Sequence, residues 1–491
     1  MTITFNSIPS NIRTPGAFVE VDPSNAMQGL LPWDQRVLIL GQKTAAGTGT
    51  TEVLTYTPSS EKAETYWGAG SMLARMVKAF KAANPYIETW VIAQPDHASG
   101  VAATKTITVT GPATASGSLN LMIGGRPVTV SVTSGDAASA IAANIVTACG
   151  LDSWLPATAA AVDAVVTLTH RHKGEVGDDL DVRVNYYRGQ ELPSGVGVTV
   201  AAGTTGATNP MITNTIAAMG DEQFDYVVCP YTDATTLIAM ETEMARRWNP
   251  MVQIPAGCWA AVNKSQTDLM SWCSTTRNSP FVSTLGIYDL PTPTEEMAAI
   301  YGAEASYNLN IDPARPLQRL TLTGALPPRY DSLGRFTRTE RNDLLNNGIS
   351  TFTVDAGGNM LIERAISNYQ TNPAGTPDVA FLDMNTLYSL IYIRYQYRVR
   401  MLSRYPRHKL ANDSFEVQPG QAIARPIDIR NETLAVFKSL YDAGIIENYE
   451  ELKNALRVER NNSDVNRVDV LIPCNLVNQF RVLAAQIAYI L

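Results

Sequence analysis

The stretch Arg36-Val37-Leu38-Ile39-Leu40-Gly41 decides how the rest of the chain is read. Val37, Leu38, Ile39 and Leu40 are all apolar, without the polar alternation of a strand that faces water on one side. Such a run fits a central strand covered on both faces, as in a parallel sheet flanked by helices. The neighbouring segments agree with it. Residues 71–83 place Leu73, Met76, Val77 and Phe80 on one helical stripe. The stripe stops at Asn84-Pro85, because proline disfavours helical geometry in the residue before it. Thr89-Trp90-Val91-Ile92-Ala93 reads as the next strand.

The same rhythm returns after residue 204. Strands are predicted at 225–229, 251–254 and 281–288, and helices at 234–248, 266–273 and 294–308. Strands and helices in strict turn predict a largely parallel sheet with helices on its faces. Between the two halves the character changes. Residues 104–203 are rich in Thr, Val, Ala and Gly. Alternating strands are predicted at 106–109, 119–123, 127–132, 165–170, 180–186 and 196–201, with Gly124-Gly125-Arg126 as a hairpin connection. An Ala-rich helix over 136–149 would be capped by Asp136. This is a mostly β domain inserted into the α/β domain.

A last region begins near Phe336. It holds a hairpin (349–354 and 360–363), a long helix over 385–404 and a second helix over 433–443 that ends at Gly444. The long helix is expected to bury Leu387, Ile391, Tyr395, Val399 and Leu402. A further strand is predicted at 467–472.

Both ends of the chain ask for an explanation beyond folding. Ala17-Phe18-Val19-Glu20-Val21 is one short strand between Pro15-Gly16 and Asp22-Pro23, with no local hairpin partner. Residues 476–491 carry one charge, Arg481, and are otherwise apolar or amide. An apolar, β-prone chain end is an aggregation hazard unless it docks. It either docks in its own subunit or adds a strand to a neighbour's sheet. Extended strands at both ends suit a subunit that links to other copies, and such heterologous links propagate into rings or filaments.

Charge is unevenly placed. The 491 residues carry a net charge of −8, which does not favour nucleic acid or an anionic membrane. Residues 375–491 nevertheless hold 14 basic and 13 acidic residues. Arg394, Arg398, Arg400, Arg404, Arg407 and Lys409 share a window without one acid. The window is either a solvated helix face or a basic face set against an acidic partner.

Chemistry is sparse. The turn Gly41-Gln42-Lys43-Thr44 lacks both the GxGxxG spacing and the phosphate-loop glycines, and no GxSxG elbow occurs. His170 and His172 lie two apart on a predicted strand and so share a face; they are expected at the surface of the β domain rather than on a metal. His97 sits in a loop after Pro95-Asp96. Five cysteines, Cys149, Cys229, Cys258, Cys273 and Cys474, fall at neither zinc nor redox spacing and suit a reducing compartment. No signal peptide and no apolar run of about 18 residues is read in the sequence. No catalytic residue, cofactor site or metal site is assigned.

Several stretches resemble contractile tail sheath proteins of Mu-like phages. The most specific are Asp312-Pro313-Ala314-Arg315-Pro316-Leu317, Arg335-Phe336-Thr337-Arg338-Thr339-Glu340-Arg341-Asn342, Ile362-Glu363-Arg364-Ala365-Ile366 and Tyr369-Gln370-Thr371-Asn372. Tyr405-Pro406-Arg407-His408-Lys409-Leu410, Val477-Asn478-Gln479 and the start Pro15-Gly16-Ala17-Phe18-Val19-Glu20 are similar too.

The resemblance implies a fold that is α/β in its main domain and α+β overall. A subtilisin-like α/β sheath domain (26–103 and 204–335) carries the inserted protrusion domain (104–203). An α+β C-terminal domain (336–475) lies nearest the tube. A linking arm precedes them (1–25) and a linking strand closes the chain (476–491). It implies a non-enzymatic structural subunit of the virion, assembled in the bacterial cytoplasm as helically stacked hexameric rings around a tail tube protein. Baseplate and tail terminator proteins bound the polymer, with no cofactor, nucleic acid or membrane span. Strand linkage between subunits then falls to Ala17, Phe18, Val19, Glu20, Val21, Phe480, Val482, Leu483, Ala484, Ile487, Tyr489 and Ile490. Arg394 and Arg398 are expected to face the tube. A phage-derived contractile device would read the same way. The rival from another class is an α/β hydrolase with a β-rich insertion.

Overall fold

The computed structural model describes residues 13–19, 30–274, 277–418 and 420–490. Residues 34–387 form one compact unit, and residues 388–491 form another together with the segment before residue 34.

The larger unit opens with β1 (Arg36–Gln42), β2 (Leu54–Tyr56), α1 (Ser60–Trp67), α2 (Met72–Ala83) and β3 (Glu88–Gln94). Next come β4 (Ala102–Thr110), β5 (Gly117–Ile123), β6 (Arg126–Val132), α3 (Ala138–Leu151), β7 (Ala157–Val162), β8 (Val165–Lys173), a 3-10 turn (Glu175–Asp179), β9 (Val182–Val184) and β10 (Gly197–Ala202). It continues with α4 (Ile212–Met219), β11 (Tyr226–Val228), α5 (Ala234–Trp248), β12 (Gly257–Asn263), α6 (Gln266–Ser274), β13 (Val282–Ile287) and α7 (Thr294–Ile311). Helix α8 (Arg338–Asn346) and the hairpin β14 (Thr351–Val354) and β15 (Met360–Arg364) complete it.

Six strands form the central sheet in the order β13-β12-β11-β1-β3-β2. All pair in parallel except β2, which runs antiparallel along β3. Val37, Leu38, Ile39 and Leu40 are fully buried, as a central strand requires. Helix α2 starts where the Ser71 hydroxyl accepts the Ala74 N–H and stops at Asn84, before Pro85. The strand expected at 251–254 is a turn instead. Val252 and Gln253 both donate to Asn249 O, and Gln253 takes a left-handed φ of 59°. Pro250 and Pro255 bracket that turn, and the strand forms beyond it as β12.

Residues 102–202 build two sheets of their own, β10-β4-β8-β7 and β6-β5-β9. These sheets and α3 enclose a separate core that includes Ile107, Leu119, Leu121, Ile141, Ile145 and Leu168. Its two ends are adjacent, since Thr104 N–H donates to Thr204 O at 2.9 Å. Asp136 does not cap α3. The cap position is Ala137, and the Asp136 carboxylate takes the Thr133 N–H at 2.8 Å.

The C-terminal domain expected from residue 336 begins later. Phe336, Leu344 and Ile349 pack with Val262, Leu269 and Cys273 of the central sheet and α6. Gly286 of β13 donates to Ser350 O, and Asn368 donates to Val282 O. Residues 336–387 therefore belong to the larger unit.

Helix α9 (Met384–Arg404) leads into the smaller unit, which holds β16 (Lys409–Leu410), β17 (Ile423–Ala424), α10 (Pro426–Asp442), β18 (Ile446–Glu447), α11 (Tyr449–Ala455), β19 (Arg457–Arg460), β20 (Val468–Leu471) and β21 (Asn475–Leu476). The expected α9 stripe holds only in part. Leu387 and Ile391 are buried, Tyr395 and Val399 half-buried, and Leu402 is 65% exposed. Steps of four residues overshoot a 3.6-residue turn by about 40° each, which carries Tyr395 and Val399 towards the edge of the buried face, whereas Leu402 is exposed in the last turn of the helix. Helix α10 starts at Pro426, whose fixed φ and missing N–H suit a first helical turn.

Candidate assembly surfaces

The start of the described main body is bound to α9. Gln396 is 2% exposed and lies beside Leu31. Leu31 N–H donates to Gln396 Oε1 at 2.9 Å, and Gln396 Nε2 donates to Leu31 O at 2.8 Å. The side-chain amide thus pairs with the backbone as a neighbouring strand would. The Trp33 ring centroid lies 5.7 Å from that of Tyr392 and 5.8 Å from that of Tyr395, and Tyr395 Oη donates to Pro32 O at 2.8 Å. Further towards the N-terminus, Ala17, Phe18 and Val19 are exposed and lie outside any ladder among the described residues. Glu20 and Val21 lie outside the described residues.

The other end is rooted in the same unit. Strand β21 pairs antiparallel with β18, and Val477 N–H donates to Ile445 O at 3.1 Å. Beyond Val477 the described chain enters no ladder. Phe480, Val482, Leu483, Ala484, Ile487, Tyr489 and Ile490 are all exposed there, Ile487 at 90%. Both sets of candidate linking residues therefore extend from anchors in one unit. The structure does not bring the two sets together in a ladder among the described residues.

Arg394 and Arg398 sit one turn apart on α9, Arg394 half-buried and Arg398 exposed. Burial and, next, the Arg398 charge pull the Arg394 guanidinium below its ordinary range. Further along, Arg400 and Arg404 both meet Glu432 of α10, Arg404 at 3.8 Å. The acid-free window is thus part-neutralised by an acid 28 residues or more away in sequence, while Arg398 carries its charge on the exposed side of the helix.

The larger unit has a buried polar junction that sequence reasoning missed. In an open α/β sheet, ligands bind beyond the C-terminal strand ends where strand order reverses, here between β1 and β11. The end of β8 packs against the C-terminal tip of β1 and the loop after β3. Gln42 Nε2 at the tip of β1 donates to Lys173 O at 2.7 Å and to Asp96 Oδ1 at 2.8 Å. Asp96 lies 3.2 Å from His172 Nδ1, and the Met72 N–H donates to His172 Nε2 at 3.0 Å. His170 and His172 do share a face, as expected, but both are buried, not at the surface.

Beside them Arg75, 3% exposed, pairs with Glu295 at 2.6 Å and Glu296 at 2.5 Å. Burial would raise the Glu295 pKa, but the Arg75 charge and then His170 outweigh it and hold the carboxyl below its usual range. Burial pushes the half-buried Asp179, which accepts from Thr294 Oγ1 at 2.8 Å, up to about 6. The sequence signal was present but ambiguous. Glu295-Glu296 in a first helical turn reads as ordinary dipole compensation.

Among the described residues, no three His, Cys, Asp or Glu side chains are grouped to hold a metal, and no helix is long and apolar enough to cross a membrane.

The chain matches two family models: the phage tail sheath protein central domain over residues 205–368, and the phage tail sheath C-terminal domain over residues 376–490. It is 38% identical over 491 residues, all of both chains, to the Mu-like prophage FluMu tail sheath protein of Haemophilus influenzae. Among solved structures, the sheath tail protein Lin1278 of Listeria innocua superposes with a TM-score of 0.50 at 15% identity, covering 92% of this chain and 94% of that one. A sheath tail protein of Desulfitobacterium hafniense gives a TM-score of 0.49 at 14% identity, covering 94% of this chain and 97% of that one. The central-domain match runs through residue 368, in keeping with the packing of residues 336–368 on the central sheet.

Proposed function

Because the chain belongs to the phage tail sheath protein family, a structural family and not one of enzymes, we propose that it works by polymerising into a contractile sheath and changing lattice. Subunits form hexameric rings stacked helically around a tail tube, bounded by baseplate and tail terminator proteins. The polymer assembles in the host cytoplasm and becomes part of the virion. Contraction drives the tube through the host envelope.

The observation that carries this reading is the pair of apolar segments, 17–19 and 480–490, rooted in one unit and exposed outside any ladder among the described residues. Each adds a strand to a neighbouring subunit's sheet. An apolar side chain that becomes fully buried in such a link contributes about 1.5–3 kcal/mol, and each ladder hydrogen bond roughly 1 kcal/mol net. Links of that strength hold while subunits rotate and slide. The extended lattice is metastable, and a difference of only a few kcal/mol per subunit suffices because all subunits switch together.

Negative-stain imaging of the purified full chain tests this. Long hollow tubes are expected. A small, monodisperse oligomer under every condition tried would overturn it.

A further inference from the structure

His172 ends β8 and is 2% exposed. Both of its ring nitrogens have fixed tasks. Nε2 accepts the N–H of Met72, the first residue of α2, at 3.0 Å. That N–H is one of the donors a helix start leaves without an intrahelical partner. Nδ1 faces Asp96 Oδ1 at 3.2 Å. A carboxylate only accepts, so the single ring proton lies on Nδ1. A second proton would have to enter at Nε2, directly against the Met72 N–H and at the positive end of α2.

The surroundings reinforce this. From α2, Arg75 faces the same space, held by Glu295 and Glu296 of α7. From the loop after β3, Asp96 also accepts the Gln42 side chain at 2.8 Å and the Lys173 N–H at 3.3 Å. From β8 itself, His170 is 4% exposed, its Nδ1 is 3.0 Å from His172 O, and Arg171 lies between the two. Burial, first, lowers the pKa of His172 against the pull of Asp96, and lowers that of His170 to about 4 against the pull of Glu295.

We infer that His172, set between Asp96 and the Met72 N–H, is an acid-operated latch that fastens residues 102–202 to the start of α2 and opens when the imidazole takes its second proton. The latch is not the whole junction. Arg183 to Asp289 at 2.7 Å and Tyr186 Oη to Pro327 O at 2.7 Å tie other points. Opening at His172 therefore loosens one corner instead of detaching the segment.

The direction with pH follows from the histidines being held below their ordinary value of about 6.5. A histidine buried as the neutral form binds fewer protons closed than open. Its contribution is complete above about pH 6.5 and is lost as pH falls towards the folded value, about 4 for His170. Asp179 works in the opposite sense, since its raised pKa of about 6 relieves part of its burial cost over the same range. For His172 the sense is the same: burial, first, lowers its pKa, so the opening constant rises as pH falls below about 6.5.

The test uses the purified full chain. Imidazole C2 deuterium exchange across pH 4–8.5 titrates each histidine, with a blocked histidine peptide as reference. Backbone exchange, corrected for intrinsic rates, follows the Met72 amide. His172 is expected to stay neutral where a free histidine side chain titrates, about pH 6.5, and Met72 protection to fall progressively as pH drops below that value while β1 and β12 stay protected. Substituting His172→Gln, which keeps an acceptor but cannot titrate, should flatten that fall. An ordinary His172 titration with unchanged Met72 protection overturns the inference. So does a parallel loss of protection at β1 and β12, or an identical acid response in the variant. If the variant does not fold, the wild-type titration decides alone.

Discussion

Gln396 grips the backbone of Leu31 from both sides, accepting its N–H at 2.9 Å and donating to its carbonyl at 2.8 Å. The pairing matters because it fixes where the N-terminal segment leaves the smaller unit. Replacing Gln396 with alanine leaves two backbone groups without their partner, at a cost of about 2 kcal/mol. Faster amide exchange at Leu31 and loss of tubes, with the rest of the chain still protected, are expected. Unchanged exchange at Leu31 would show that the Trp33 stacking alone holds the segment.

Deleting residues 480–491 should leave a folded subunit that does not assemble. Those residues touch no ladder of their own chain among the described residues, so the circular dichroism spectrum and melting temperature should stay near those of the full chain. Sedimentation is expected to show monomers. Tubes of normal length from the truncated chain would remove the basis for strand linkage at this end.

Arg75 is the most exacting test of the junction in the larger unit. It is 3% exposed and bonded to two carboxylates. Arg75→Met removes the cation and leaves Glu295 and Glu296 to repel each other in a dry site, which should cost about 3–5 kcal/mol. Adding Glu295→Gln and Glu296→Gln should recover part of that loss. Thermal melts of the single and triple variants check this, and equal melting temperatures would contradict it.

Removing residues 104–203 and joining the ends with a short glycine linker should preserve tubes while lowering thermal stability. The ends are adjacent through the Thr104–Thr204 hydrogen bond, so closure costs little chain entropy. The stability loss arises because Met72, Asp96 and Lys78 lose their contacts with His172 and with the Trp154 ring, 4.0 Å from Lys78 Nζ. An insoluble product would mean that the central sheet cannot stand without the segment.

The fold is legible wherever burial imposes a simple pattern. Val37 to Leu40 admits one reading, and α5 spans the 234–248 predicted for it. The errors lie where local pattern is silent. Gly257-Cys258-Trp259-Ala260-Ala261 is too mixed to announce a strand, whereas Met251 to Ile254 looks like one and is bent by flanking prolines. Phe336 and Ile349 read as the opening of a new domain because nothing in their neighbours reveals Leu269 and Cys273, some 70 residues earlier, as their packing partners. The spacing of His170 and His172 puts them on one face, but which face is buried depends on α2 and α7, from distant parts of the chain. The same limit applies to Gln396, a polar residue in a helix whose partner is 365 positions away.

The basic face of α9 separates two kinds of contact. Arg400 and Arg404 meet Glu432 within the subunit. Arg394 and Arg398 are the pair proposed to face the tail tube. They crowd each other, which lowers the Arg394 pKa after burial has done so, and an anionic surface brought against them relieves that repulsion. Each such contact, when solvated, is worth about 0–1 kcal/mol and weakens with salt, so only repetition around a ring makes it effective and also lets it release. Changing both residues to glutamate should abolish tube binding while sheath-only polymers still form. Raising salt should weaken wild-type tube binding in parallel. If the double variant instead fails to polymerise without tube, these arginines serve contacts between sheath subunits. Pelleting assays with and without tube protein distinguish the two results.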